Sequence, residues 1–241
     1  CYCFSPMRYA WHMRQSYFSG RVRGLKAHIL DRLLGYLRDW DRRTAAGVHH
    51  FVAISRFIAD RIRRCYGRAA DVIYPPVDVA RFRIEERPED FYFVVSALAP
   101  YKRVDLVVEA ASRLGRRLVV VGTGPEEARL RARAGPTVQF LGWKDDAQVA
   151  ELYARCRALL FPTVEDFGIT PLEAMAAGRP VIALGQGGAL ETVVPPGGPE
   201  PPTGLFFARQ TADDLAEAVR RFGSGATVFE PKTLRRHAEQ F

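Results

Sequence analysis

Short apolar runs and longer amphipathic segments alternate along residues 91–222. The apolar runs have the length of strands, whereas the segments between them space their apolar residues three and four apart, as helices do. Regular alternation of strands and helices predicts parallel pairing in a doubly wound α/β sheet. We predict strands at 91–96, 117–121, 138–141, 158–161 and 180–183, and helices at 104–114, 126–134, 145–155, 171–177 and 212–222.

The most informative segment is 165–173, where two glutamates flank a predicted strand-to-helix turn. Gly168 permits the close approach of a ligand, and Pro171 suits the first turn of a helix, where a missing N–H is tolerated. The helix is therefore predicted to begin near Thr170, with N–H groups around residues 168–172 aimed at the carboxyl edge of the sheet. A helix start of this kind can hold a diphosphate.

The two carboxylates suit opposite ends of a nucleotide sugar. Glu173 is predicted to lie inside the first helical turn, where its oxygens can accept hydrogen bonds from the vicinal hydroxyls of a ribose. Glu165 precedes the turn and is predicted to reach hydroxyls of the sugar. From these two residues alone, a pair of capping glutamates on an ordinary α/β helix remains the alternative.

Residues 165–182 and 187–192 closely resemble the donor-site signature of the retaining GT-B glycosyltransferases of group 4, which include bacterial mannosyltransferases. The resemblance extends over nearly the whole chain. It implies a GT-B-like fold in which residues 1–80 are the C-terminal part of a truncated, acceptor-side Rossmann-like domain, and residues 81–241 are the Rossmann-like donor domain with a shortened closing helix. Further matching segments, in the family's order, are 55–67, 72–78, 95–105, 121–125 and 138–142.

The resemblance also implies roles for single residues. Lys102 and Arg103 match the basic pair that neutralises the donor diphosphate, although a solvated surface pair is the alternative. Glu173 matches the ribose ligand, Glu165 the carboxylate that meets the transferred sugar, and Gly142 a loop that borders the nucleobase. Lys102 and Glu165 are the expected catalytic residues. The expected donor-binding residues are Ser96, Lys102, Arg103, Gly122, Gly142, Glu165, Phe167, Gly168, Ile169, Thr170 and Glu173.

The implied reaction moves a sugar from a nucleoside diphosphate sugar to a hydroxyl with retention of anomeric configuration. Family likeness favours GDP-mannose as the donor and a glycan or lipid-linked acceptor. No metal ion or cofactor is expected, because cations and a helix dipole can stabilise the leaving diphosphate, and no His/Cys cluster has ligand spacing. Asp145 and Asp146 are interpreted as the capped start of a helix. Binding of NAD at residues 122–125 is rejected, because this turn lacks the third glycine of a dinucleotide fingerprint.

The charge adds information about partners, since 35 Lys and Arg against 27 acidic residues give a net charge of +8. Residues 21–43 combine six Arg and one Lys with an apolar stripe, the pattern of a basic amphipathic helix. We favour packing of this stripe in the core, and the alternative is contact with an anionic bilayer beside a lipid-linked acceptor. Nucleic acid is not expected, because zinc-finger spacing and RNP-like motifs are absent. The stripe consists of Leu25, Ile29, Leu33, Leu34, Leu37 and Trp40.

The absence of a secretory signal and of paired cysteine spacing predicts a cytoplasmic location. If residues 21–43 contact a bilayer, the protein is expected to lie at the inner face of the membrane. Three residues depart from the family pattern: Phe4 where His is common, His12 where Asp is common, and Ala97 where many relatives have a phosphate-binding Arg. These departures keep open a noncatalytic donor-binding or partner subunit. A sugar-nucleotide epimerase of GT-B-like fold is the third hypothesis. It is the least favoured, because the sequence does not supply the additional catalytic acids and histidines expected in the cleft of such an enzyme.

Overall fold

A computed structural model describes residues 1–14, 18 and 24–241, which form two compact units, 1–74 and 75–241. The first unit has a small parallel sheet in the order β1-β2-β3, with helices between its strands. The division falls between Tyr74 and Pro75, a few residues before the boundary expected from the sequence. The elements of the first unit are β1 (Tyr2–Cys3), α1 (Arg8–Trp11), α2 (Leu25–Ala45), β2 (Val52–Ala53), α3 (Arg56–Tyr66) and β3 (Asp71–Val72).

Most of the apolar stripe on α2 is exposed, so the prediction that it packs in the core is wrong for the greater part of its length. Within the stripe Leu34 is buried, with 2% of its surface exposed. Residues 21–23 of the predicted helix lie outside the described residues. The exposed members of the stripe are Leu25 (76%), Ile29 (58%), Leu33 (52%) and Trp40 (45%).

A different face of α2 makes its contacts within this unit, which explains the exposure. Arg38 Nη1 donates a hydrogen bond to the carbonyl of Ala10, and Arg42 Nε donates to the carbonyl of Cys65. Together with Leu34, these side chains lie four residues apart and therefore share one side of the helix. Leu34, Ala45 and these polar contacts, rather than the longer apolar stripe, hold α2 against the rest of the unit.

The second unit contains a six-stranded, wholly parallel sheet in the order β6-β5-β4-β7-β8-β9, which confirms the predicted fold class. The strand β9 at one edge was not predicted. The elements of this unit are β4 (Tyr92–Val95), α4 (Val104–Leu114), β5 (Leu118–Val121), α5 (Glu127–Arg133), β6 (Val138–Gly142), α6 (Asp146–Arg155), β7 (Ala158–Phe161), α7 (Ile169–Ala176), β8 (Val181–Leu184), α8 (Ala189–Thr192), β9 (Gly204–Phe207), α9 (Ala212–Gly223) and α10 (Pro231–Ala238).

The central strands are apolar at every position because both faces of the sheet are covered. All residues of β5, β7 and β8 are buried. Val107 and Leu215, from α4 and α9, are fully buried in the cluster that covers one face of the sheet. Each buried side chain of this size contributes about 1.5–3 kcal/mol, so the strands form a stable platform for the loops at their ends.

The order of the strands creates a crevice at the carboxyl end of the sheet. The chain runs from β4 through β5 to β6 toward one edge, and from β7 through β8 to β9 toward the other, while β4 and β7 are neighbours. Connections after these two strands leave in opposite directions, and ligands of open α/β sheets bind at such a point. Loops 96–103 and 162–168 border it.

Among the helices of the described ranges, none combines the length and apolar character needed to cross a bilayer.

Candidate functional site

Lys102 and Glu165 meet across the crevice. Lys102 Nζ donates to Glu165 Oε1, and the two residues form an ion pair. Their side chains are only 20% and 16% exposed, so solvent screens this pair less than an ordinary surface pair. One residue follows β4 and the other follows β7. The fold therefore brings together two residues that the sequence analysis placed in separate loops.

Arg103 links loops 96–103 and 162–168 through a second set of hydrogen bonds. It adopts φ 52°, and among the described non-glycine residues it alone has a positive φ. Its Nε donates to Asp105 Oδ1 at 3.1 Å and its Nη1 to Gln210 Oε1 at 3.3 Å, while Gln210 Nε2 donates to the carbonyl of Pro162 at 2.9 Å. Arg103 is thus held by protein groups on both sides of the crevice. Gln210 was not predicted as a site residue, because no motif in the sequence marks it.

Helix α7 begins earlier than predicted, which shifts the position of Glu173 along the helix. Gly168 caps the helix with φ 93°, and Ile169 is its first residue. Pro171 is the third residue and still falls among the first four positions, whose N–H groups have no partner inside a helix. Glu173 is the fifth residue, so the prediction that it lies in the first turn is wrong. The start of the helix nevertheless lies at the end of loop 162–168, which follows β7 and borders the crevice.

Glu173 has a buried tyrosine as its hydrogen-bond partner. The hydroxyl of Tyr153 on α6 donates to Glu173 Oε2 at 3.0 Å. The pKa of the Glu173 carboxyl is raised above its usual value, mainly by burial. The hydrogen bond from Tyr153 and the charge of Arg81 oppose this rise in pKa, whereas the charge of Asp146 adds to it. Arg81 is paired with Asp146, with 2.9 Å between Nη2 and Oδ2. The carboxylate is therefore half-buried beside a neutral donor and a compensated charge pair.

Ser96, Gly122 and Gly142 lie at the ends of three neighbouring strands. The N–H of Gly122 donates to the carbonyl of Gly142 at 2.8 Å, and the N–H of Ser96 donates to the carbonyl of Val121 at 3.0 Å. A Cβ on Gly122, which has φ 128°, would lie 1.9 Å from the carbonyl oxygen of Ser96. Only glycine fits there, so this edge of the crevice is lined by main-chain groups.

The remaining predicted residues differ in accessibility. Phe167 is 3% exposed and its ring lies 5.8 Å from that of Phe241, so its main chain, not its side chain, borders the crevice. Ile169 is 45% exposed and Thr170 is half-buried. A Cβ on Gly188 would lie 2.3 Å from the carbonyl oxygen of Phe167, which explains how loop 162–168 can approach the turn after β8 so closely.

The acidic pairs of the sequence have structural roles. Asp145 caps α6 and forms a capping box with Gln148, as interpreted from the sequence. Asp39 and Asp41 on α2 have Asp-x-Asp spacing, but Asp41 Oδ2 accepts hydrogen bonds from Trp11 Nε1 at 2.7 Å and from the Tyr66 hydroxyl at 2.9 Å. Over the described parts of the chain, no group of three or more His, Cys, Asp or Glu residues is arranged to hold a metal ion.

The arrangement in the second unit is suited to an extended anionic ligand. A lysine and a helix start can hold phosphate oxygens, and two carboxylates on adjoining elements can accept hydroxyl hydrogen bonds. Main-chain groups at the ends of β4, β5 and β6 line the adjoining edge without bulky side chains. Phosphate flanked by hydroxyl-bearing rings is the chemistry that matches this set.

Residues 78–238 match the family described as "Glycosyl transferases group 1", and the chain belongs to this family. Over 221 residues it is 32% identical to the "GDP-mannose-dependent alpha-(1-6)-phosphatidylinositol monomannoside mannosyltransferase" of Mycobacterium tuberculosis, an alignment that covers 78% of this chain and 56% of the relative. The chain thus spans about half the length of that curated relative. Membership of the glycosyltransferase family confirms the family resemblance inferred from the sequence.

Solved structures support the fold. Sucrose-phosphate synthase from Thermosynechococcus elongatus is 25% identical, with a TM-score of 0.67 over 79% of this chain and 53% of that structure. Anabaena HepE in complex with UDP is 21% identical, with a TM-score of 0.69 over 83% of this chain and 63% of that structure. The fold resembles that of GT-B glycosyltransferases, as predicted. The roles of the individual site residues stay predictions.

Proposed function

We propose that this chain forms the donor site of a retaining glycosyltransferase, which moves a sugar from a nucleoside diphosphate sugar to a hydroxyl. The observation that carries the proposal is the contact of Lys102 with Glu165 at the crevice, directly before the start of α7. The family membership and the names of the relatives support the same class of reaction. In this activity the chain provides the donor side.

The charges of the site suggest how a donor is held. Lys102 and the N–H groups at the start of α7 contact the diphosphate, and Lys102 exchanges its carboxylate partner for a phosphate oxygen. Glu165 is then released to accept hydrogen bonds from the sugar hydroxyls, and Glu173 accepts those of the ribose. When the bond between the anomeric carbon and the diphosphate breaks, the lysine and the helix dipole stabilise the charge that develops on the leaving group. No metal ion is needed in this scheme.

We propose GDP-mannose as the donor, because the mycobacterial relative is named as GDP-mannose-dependent. The Anabaena structure contains UDP, so a direct comparison is required. Calorimetric titration of the chain with GDP-mannose, UDP-glucose and ADP-glucose tests both the class and the base. We expect GDP-mannose to bind at least tenfold more tightly than the other two. Absence of binding by all three would contradict the donor-site proposal, and tight binding without any sugar transfer would favour a noncatalytic subunit.

Replacing Lys102 with alanine should raise the Kd for GDP about tenfold and leave that for guanosine within about twofold, because the lysine contacts only the phosphates. Calorimetry measures both affinities. The matched control is Lys232→Ala, which removes an exposed lysine from α10. An equal loss for guanosine and GDP would exclude a diphosphate role. Arg103 is less suitable for this test, because its guanidinium also holds Asp105 and Gln210.

The exposed stripe of α2 favours peripheral binding to a membrane, where a lipid-linked acceptor would lie. The stripe is accompanied on this helix by five Lys and Arg residues against three Asp residues, which gives the helix a net positive charge. Exposed apolar residues with basic neighbours are typical of helices that rest on anionic bilayers.

Replacing Ile29 and Leu33 together with serine should reduce binding to vesicles of anionic phospholipid about fivefold, because two exposed apolar side chains no longer enter the bilayer surface. Co-sedimentation with the vesicles measures this change. Val228→Ser is the control, since Val228 is also an exposed apolar residue, 82% exposed, and lies on the other unit. Equal binding by the wild type, the double variant and the control would argue against this membrane face.

A further inference from the structure

Tyr153 occupies a fixed position beneath the crevice. It has no exposed surface, and its ring is held edge-to-face by two aromatic neighbours, Phe82 and Phe93. The ring centroids lie 5.7 Å from Phe82 and 5.1 Å from Phe93, at interplanar angles of 79° and 90°. A tyrosine packed in this way cannot change rotamer without disturbing the core. The position of its hydroxyl oxygen is therefore fixed.

That hydroxyl is directed at the carboxylate assigned to the ribose. It donates to Glu173 Oε2, and within the described part of the chain no donor lies on Oε1. The nearby cation, Arg81, is instead paired with Asp146. One oxygen of Glu173 is thus committed to the protein interior, and the other is available to a ligand.

We propose that Tyr153 is a positioning residue for nucleotide recognition: its buried hydroxyl fixes the orientation of the Glu173 carboxylate so that Oε1 accepts hydrogen bonds from the vicinal hydroxyls of the ribose. The inference rests on the proposed donor-binding function and assigns a role to a residue that never touches the ligand. Two hydrogen bonds from a vicinal diol to one carboxylate oxygen need that oxygen in a defined position, since hydrogen bonds weaken steeply when the angle is poor. The Tyr153 hydroxyl fixes this position by holding Oε2 of the same carboxylate.

A second buried tyrosine provides a matched comparison. Tyr92 on β4 is also almost fully buried, yet its hydroxyl has no hydrogen-bond partner among the described residues. Tyr92→Phe and Tyr153→Phe therefore remove the same atom from the same kind of environment. Only the second change removes a hydrogen bond to Glu173. Any effect of losing a buried hydroxyl as such appears in both variants.

The experiment is calorimetric titration of the full chain and its variants with GDP and with 2′,3′-dideoxy-GDP. Tyr153→Phe should raise the Kd for GDP about tenfold, the usual effect of losing one hydrogen bond to a charged group. Binding of the dideoxy nucleotide should change less than twofold, because it has no ribose hydroxyls to lose. Tyr92→Phe should leave both affinities unchanged. Glu173→Gln should reproduce the selectivity of Tyr153→Phe with a larger loss.

The pH dependence gives a second measurement. The groups facing Glu173 are Tyr153, Arg81 and Asp146. The carboxylate must be ionised to accept both hydroxyls, so GDP affinity falls as the pH drops through its pKa. Without the tyrosine hydrogen bond that lowers this pKa, the fall should occur at higher pH in Tyr153→Phe. A residue that only filled space would not move the profile.

The outcomes separate this inference from the proposed function. If the wild-type chain binds GDP and Glu173→Gln lowers that affinity selectively, but Tyr153→Phe does not, then the positioning role is wrong and the donor site stands. Equal losses for GDP and its dideoxy form in Tyr153→Phe would show a general structural effect and overturn the inference as well. If the wild-type chain binds neither nucleotide, the proposed function fails and the inference fails with it.

Discussion

Gly188→Ala should lower the free energy of unfolding by about 3 kcal/mol, because a new methyl group has no room against the main chain of Phe167. The added Cβ would lie 2.3, 2.4 and 2.6 Å from the carbonyl oxygen, Cα and carbonyl carbon of Phe167. The backbone of Gly188 has φ −63° and ψ −20°, which alanine adopts freely, so the expected loss is steric. For a unit covering residues 75–241 this corresponds to a fall of roughly 10 °C in the midpoint of thermal unfolding.

Gly198→Ala is the matched control, because a Cβ at Gly198 would meet nothing within 4 Å. Its unfolding midpoint should stay within about 2 °C of the wild type, as for other substitutions at open surface positions. Loop 162–168 carries Glu165, so Gly188→Ala should also weaken binding of a nucleotide sugar. Equal stability of the two variants would mean that the loop does not lie against the turn after β8 as described.

The elements that the sequence predicted best have local signals at both ends. Helix α4 was predicted at its observed bounds, Val104–Leu114, and Gly115 ends it in the left-handed conformation that glycine favours. Strand β7 was also predicted at its observed bounds, Ala158–Phe161, as a short run without polar residues. Alternation of such elements then implied parallel pairing, because each helix returns the chain to the same end of the sheet.

Two errors came from signals that are ambiguous in a single sequence. Proline is tolerated in any of the first helical positions that lack N–H partners, so Pro171 did not fix the first residue of α7. Glu173 was therefore placed in the first turn, although it is the fifth residue of the helix. On α2 the periodic stripe correctly indicated a helix, but periodicity does not reveal what covers a face. The contacts of that helix use Leu34 and polar side chains instead.

Only the site residues that belong to recognisable motifs could be predicted from the sequence. Lys102 and Glu165 stood out through family resemblance, yet their contact depends on β4 and β7 being neighbours, and the alternation pattern does not specify strand order. Tyr153 and Gln210 carry no recognisable motif. Their roles follow only from packing and hydrogen bonds, because a buried tyrosine or a loop glutamine is common in any α/β domain.

Glu165→Gln should separate nucleotide binding, which it should preserve or strengthen, from sugar transfer, which it should slow. The carboxylate pairs with Lys102 when no ligand is present, so removing its charge frees the lysine for phosphate. We expect the Kd for GDP to stay equal or to fall by up to about threefold. The rate of transfer from a nucleotide sugar should fall about 100-fold, equivalent to about 2.7 kcal/mol, because the amide replaces charge-assisted hydrogen bonds to the sugar.

The affinities for GDP and GDP-mannose, measured by calorimetry, isolate the sugar's contribution even before transfer is assayed. In the wild type the sugar should add affinity beyond that of GDP, and in Glu165→Gln this increment should disappear. Glu200→Gln, which neutralises an exposed carboxylate in another loop, should leave the increment intact. A variant at Glu165 that bound GDP more weakly while keeping the full sugar increment would reverse both expected signs. In that case Glu165 would serve only to orient Lys102, and the sugar would have to be held by other residues.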